Sequence, residues 1–184
     1  MSWQRPNGPA WRNLRARAGA LFVLGTVALG AGAPRALGAE DYALLGRPAP
    51  DFALHAAAGG NVRLSEHRGE VVVLSFWSSR CTPCRAQLSD LDHSLRTYAS
   101  AGLSMYGVGV DDEPERAGEF VHSAGVSFPM LLNPDKSVGR SYQVDNLPMT
   151  VLIDRNGTVR YVLRDYSQAS HALYLQRLRA LLNE

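Results

Sequence analysis

Cysteine is nearly absent: Cys81 and Cys84 are the only two in 184 residues. Two thiols exclude a scaffold held by several disulfides and a zinc site built from two cysteine pairs. The five histidines (His55, His67, His93, His122, His171) show no paired spacing that would complete such a site. Acids are missing from residues 1–39, where Arg5, Arg12, Arg15, Arg17 and Arg35 all lie; the 17 acids begin at Glu40. Long apolar runs are missing too. The uncharged stretch from Ala18 to Ala33 has sixteen residues, and a spanning helix needs about 20. A basic segment, a short apolar segment and small residues before a polar start form a secretory leader, with cleavage expected after Ala39. Left uncleaved, the same segment is a membrane tether. The chain has no paired arginines and no cysteine after the apolar stretch, which argues against the twin-arginine route and against a lipoprotein. Without residues 1–39, 14 of the 19 basic residues face 17 acids, a formal charge of −3. No basic run survives to bind nucleic acid. Residues 40–184 show no repeat and no low-complexity linker, and fit one domain.

The apolar pattern predicts an α/β fold. Val71–Phe76 (VVVLSF) reads as a strand buried on both faces, as in a parallel sheet. Leu103–Val110 is a second strand. Between them Pro83–Ala99 has helical spacing, with Leu88, Leu91, Leu95 and Tyr98 recurring every three or four residues. The three make a βαβ unit, whose crossover is right-handed. Pro114–Ala124 is a shorter helix, Phe128–Leu132 a brief strand, and 150–153 with 159–163 a hairpin turned by Asn156-Gly157. A helix over 168–182 closes the chain. Asp51–Leu54 and Val62–Leu64 form a small hairpin across Gly59-Gly60. The sum is a mixed sheet with helices on both faces.

The cysteines fall where a buried strand hands over to a helix, in FWSSRCTPCR. Free N–H groups and the dipole at a helix start favour an anion, and the thiolate is the nucleophile of disulfide exchange. Arg80 and Arg85 add positive charge nearby, and Pro83 suits the first helical turn. Cys84 lies almost one turn later, placed to resolve a mixed disulfide formed at Cys81. A purely structural bridge closing so short a loop gains little entropy. A two-coordinate Cu(I) site on both thiolates is chemically reasonable and stays open as a rival.

At this point the chain resembles the TlpA/ResA-type thioredoxin-like family over residues 44–182. The landmarks are Gly46-Arg47-Pro48-Ala49-Pro50-Asp51-Phe52, then Leu64-Ser65 with Arg68-Gly69, then Phe76-Trp77-Ser78-Ser79 ahead of Cys81-Thr82-Pro83-Cys84. Gly125-Val126-Ser127-Phe128-Pro129, Leu147-Pro148 with Thr150, and Leu152-Ile153-Asp154 before Gly157 follow. The resemblance implies a thioredoxin-like fold with an N-terminal β-hairpin extension and a central insertion. It implies an exported, periplasmic or otherwise extracytoplasmic thiol–disulfide oxidoreductase that reduces disulfides in partner proteins, with apocytochrome c or copper-site cysteines as family substrates. A membrane-bound thiol reductant would recharge it, and no resident cofactor or metal is implied. Catalysis falls to Cys81, Cys84 and a cis Pro148. Trp77, Arg80, Leu147 and Met149 are the expected substrate contacts. A carboxylate in the insertion, Asp112 with Glu113 as its substitute, would take the proton of Cys84 or raise the active-site pKa values by like-charge repulsion; the alternative is that these acids stabilise the start of the Pro114 helix. One departure stands out: the family usually has Trp before its first cysteine, and this chain has Arg80, which predicts a lower thiolate pKa and an altered docking surface. A thiol peroxidase is a third reading, because Pro50-Asp51-Phe52 also occurs in peroxiredoxins. That chemistry needs a proline and a threonine or serine before the nucleophile, and residues 77–80 contain no proline.

Overall fold

The computed structural model describes residues 42–184; the leader read over residues 1–39 lies outside them. Among the described residues seven strands form one sheet in the order β2-β1-β5-β4-β3-β6-β7. They are β1 (Ala53–Ala56), β2 (Asn61–Arg63), β3 (Val71–Trp77), β4 (Leu103–Gly109), β5 (Met130–Leu132), β6 (Met149–Ile153) and β7 (Val159–Leu163). The helices are α1 (Thr82–Tyr98), α2 (Pro114–Ala124), α3 (Ser137–Ser141) and α4 (Gln168–Leu182). β3, β4 and β5 run parallel, and β6, β7 and the β1–β2 hairpin are added antiparallel. β3 sits between β4 and β6 with every residue buried, which is why its sequence is apolar without alternation.

Alternate side chains of β3 feed two cores. Val72, Leu74 and Phe76 pack with Phe52, Tyr106 and Tyr142 on one face. Val71, Val73 and Trp77 pack with Leu88 and Leu91 of α1, Phe120 of α2 and Leu178 of α4 on the other. Each buried leucine of this kind stabilises the fold by roughly 1.5–3 kcal/mol. Helices cover both faces, as expected, but unequally. α1, α2 and α4 share one face, while α3 and the segment around Tyr42 and Phe52 cover the other.

Three details depart from the sequence reading. The N-terminal hairpin is shifted: Asp51 lies outside β1, and its carboxylate accepts from the Ser65 N–H (2.9 Å) and Oγ–H (3.0 Å). The β6–β7 connection is longer than a two-residue turn. Asp154 accepts from the N–H groups of Asn156 (3.0 Å) and Thr158 (2.9 Å), and Gly157 alone in this loop takes a positive φ, 77°. Helix α3 was not foreseen. Five residues carry no readable period, and the helix depends on buried Asn133, whose Oδ1 accepts from the N–H groups of Val138 (3.1 Å) and Gly139 (3.2 Å).

Candidate active site

Register and strand direction bring three loops together. β6 is antiparallel to β3, with Met149 opposite Phe76, so residues 147–148 lie beside the carboxyl end of β3. β4 runs parallel to β3 and ends at Gly109, so residues 110–113 emerge at the same edge. Such carboxyl edges of parallel strands are where α/β sheets place their sites.

Cys81 and Cys84 are joined by a disulfide, with Cα atoms 5.4 Å apart. Cys81 is the N-cap residue of α1, Pro83 occupies the first turn, and that turn contains no acid. Reduced, the Cys81 sulfur therefore stands at the positive end of a 17-residue helix with no competing negative charge in its first turn. Cys84 is fully buried and Cys81 half-buried. One sulfur meets solvent and the other lies behind it.

The two arginines expected to lower the Cys81 pKa are both engaged elsewhere. Arg80 forms an ion pair with Glu113, which also binds Arg116 at 2.7 Å. Arg85 turns toward α2, donating to the Ser123 carbonyl (2.8 Å) and Oγ (3.0 Å), with its guanidinium 4.8 Å from the Phe120 ring centroid. Phe120 in turn stacks on Trp77 at 4.6 Å. Thiolate stabilisation thus falls chiefly on the helix terminus, and the cations contribute less than their proximity in sequence implies.

The expected substrate contacts separate into two sets. Arg80 is exposed and Leu147 half-buried, and both line an open groove that contains Cys81, with Val110, Val144 and Asn146. Trp77 and Met149 are fully buried, so their side chains do not reach a visiting chain. Trp77 lies instead beside Gly107 and against Gly109, where a Cβ would strike its ring. The Leu147–Pro148 bond is cis, and Pro148, next in sequence to the groove residue Leu147, is buried.

The acids of the insertion have distinct places. Asp112 is exposed and bonded to Lys136 Nζ at 3.3 Å. Its own backbone N–H, and then the Lys136 ammonium, hold its carboxyl below the usual range, which makes it a weak base. Glu113 holds Arg80 and Arg116. The residue that sequence reasoning missed is Asp111. It is 8% exposed and accepts from the Ser79 N–H (2.7 Å) and Oγ–H (2.9 Å), pinning the loop that presents Cys81. Its place just past the end of a parallel strand was the available signal.

No group of three or more metal-binding side chains occurs among the described residues, and no helix there is long and apolar enough to cross a membrane. The chain matches the AhpC/TSA family over residues 45–162. It is 34% identical to the thiol-disulfide oxidoreductase ResA of Bacillus subtilis over 149 residues, 80% of this chain and 83% of the relative. It is 30% identical over 146 residues to a Mycobacterium tuberculosis protein provisionally named a peroxiredoxin, covering 72% of this chain and 92% of that one. Among solved structures, a Chlorobium tepidum protein provisionally named the thiol:disulfide interchange protein DsbE superposes with a TM-score of 0.72 at 33% identity, covering 75% of this chain and 97% of that one. With the Cys-X-X-Cys pair on its thioredoxin-like fold, the chain belongs to the AhpC/TSA family and, within it, to the ResA-type thiol–disulfide oxidoreductases.

Proposed function

We propose that this enzyme is an exported reductant of disulfides in partner proteins. The observation that carries the reading is the asymmetry of the pair: Cys81 opens onto a groove and Cys84 is sealed behind it. The Cys81 thiolate attacks one sulfur of the partner's disulfide, forming a mixed disulfide and releasing the partner's other sulfur as a thiolate. Cys84 loses its proton and attacks Cys81 Sγ. The Cys81–partner bond breaks, the partner leaves reduced by two electrons, and the Cys81–Cys84 disulfide forms. The groove between Arg80 and Leu147 receives the extended segment around the partner's cysteine. Apocytochrome c and copper-site cysteine pairs are substrates of this chemistry. A membrane-bound thiol donor recharges the enzyme, because exported compartments are oxidising, and the leader at residues 1–39 supplies export or a tether.

Asp112 fits this scheme better at the groove rim, paired with Lys136, than as the base for Cys84, since its lowered pKa and exposure suit a solvated ion pair. Single-turnover reduction of a model protein disulfide tests the reading: wild-type protein reduces one equivalent and Cys81→Ser none. Equal activity of the two defeats it. The same preparation settles its rivals. Tight one-to-one Cu(I) binding without exchange activity would identify a metallochaperone, and rapid turnover of hydrogen peroxide a peroxidase.

A further inference from the structure

Arg80 is the common wall of two grooves. One contains Cys81 and Leu147. The other, an open groove of about 320 Å³ on the α2 side, takes in Arg85, Arg116, Glu119 and Phe120. Three guanidinium groups therefore border one depression next to the loop that presents Cys81. Residues 40–184 carry a formal charge of −3, so a cluster of cations here runs against the balance of the domain.

The cluster is only partly neutralised. Glu113 binds Arg80 through Oε1 and Arg116 through Oε2, the latter at 2.7 Å, so one carboxylate serves two cations. Glu119 is the single acid in the groove wall, and among the described residues neither it nor Arg85 forms an ion pair. Three positive charges thus face two negative ones. Arg85 is also held in place. Its guanidinium donates to the Ser123 carbonyl (2.8 Å) and Oγ (3.0 Å) and lies 4.8 Å from the centroid of Phe120, which stacks on Trp77. A guanidinium has five N–H donors, and Ser123 takes only two of them. A planar donor fork already fixed in position suits a carboxylate, which it can bind through two parallel hydrogen bonds. Less side-chain entropy is then lost on binding.

We propose that this arginine groove receives a carboxylate side chain of the partner, so that the enzyme favours disulfide proteins with an acidic residue close to the reacting cysteine. The inference rests on the reductase reading above and deepens it by naming the substrate class. The partner's cysteine lies over Cys81, and its extended segment crosses Arg80 toward α2. There an Asp or Glu meets Arg85 and Arg116, whereas a Lys in the same place meets like charge. The arginines select the partner and take no part in the exchange of sulfur bonds. The groove is open to water, so the attraction is modest, is screened by salt and acts chiefly on the encounter of the two proteins.

The test compares charges on the substrate. Short peptides, each closed by one disulfide, carry Glu, Gln or Lys at successive positions beside the cysteines. Single-turnover reduction of each by reduced protein gives a second-order rate constant. With wild-type protein at low ionic strength, the Glu peptide should react about three- to tenfold faster than its Lys counterpart at the favoured position. Salt at about 0.5 M should remove most of that ratio. The double substitution Arg85→Gln, Arg116→Gln should bring the ratio close to one. Because the ratio is taken within each protein, any change in Cys81 reactivity cancels. Equal rates for Glu and Lys peptides at every position with wild-type protein overturn the proposal, as does a double variant that keeps the wild-type ratio. If the double variant does not fold, Arg116→Gln, at an exposed side chain, decides alone: it should reduce the ratio by about half, and an unchanged ratio overturns the proposal. Failure of wild-type protein to reduce any of the peptides would instead defeat the reductase reading, so the two failures are separable.

Discussion

Asp111 gives the sharpest structural prediction. Its carboxylate takes two hydrogen bonds from Ser79, at 2.7 and 2.9 Å, and is 8% exposed. Hydrogen bonds to a charged group contribute roughly 1.5–3 kcal/mol each. They are not independent, since both partners sit on Ser79 and share one orientation. Asp111→Ala should therefore destabilise the fold by about 2–4 kcal/mol, and Asp111→Asn, which can still accept one of the two bonds, by about half as much. Urea unfolding followed by tryptophan fluorescence gives the stability, and Trp77 in the β3 core makes that probe local. Function should change with it. Ser79 lies two residues before Cys81, so a loosened loop lets the Cys81 sulfur move off the start of α1. The alkylation rate of reduced protein by iodoacetamide should then fall at neutral pH. A loss below about 1 kcal/mol with wild-type alkylation would refute the reasoning. The neighbouring Asp112→Ala, at an exposed ion pair, should leave the unfolding midpoint unchanged.

Other expectations follow from the same contacts. Glu113→Gln removes the partner of Arg80, so the freed cation should lower the Cys81 pKa by about half a unit, an exposed-charge effect at ε near that of water, seen as a shift in the pH profile of alkylation. Gly109→Ala places a Cβ 2.7 Å from Trp77 Cζ2, and Phe120 stacked on that ring blocks its retreat. Overpacking of this kind costs about 1–3 kcal/mol, readable by urea unfolding. Glu70 accepts from the Ser104 hydroxyl, which holds its carboxyl below the ordinary value. Its contribution is present above the unfolded carboxylate pKa and is lost as pH falls through the lowered one, so Glu70→Gln should flatten the stability curve between about pH 5 and 3.

How much of this was legible in the sequence depends on the range of the forces involved. β3 could be read from the six-residue run Val71–Phe76, apolar at all but one position, and α1 from leucine spacing together with Pro83. The place of Cys81 at a helix start followed from those two elements. Signals carried by distant side chains were not legible. Arg80 meets Glu113 across 33 residues and Arg85 meets Ser123 across 38, so charge counted along the chain overstated the field at Cys81. Trp77 looked like a surface contact because it leads into the cysteine motif, yet strand alternation turns it inward over two glycines. In the acidic run Asp111-Asp112-Glu113 the sequence offers three carboxylates. Only the end of β4 and the reach of Ser79 distinguish the buried one.

The central claim is that Cys81 attacks and Cys84 resolves. Cys84→Ser, mixed with a small protein carrying one accessible disulfide, should accumulate a stable mixed disulfide. Peptide mapping by mass spectrometry should place that bond on Cys81, whereas Cys81→Ser should form no adduct. An adduct on Cys84, or none with either variant, would contradict the account.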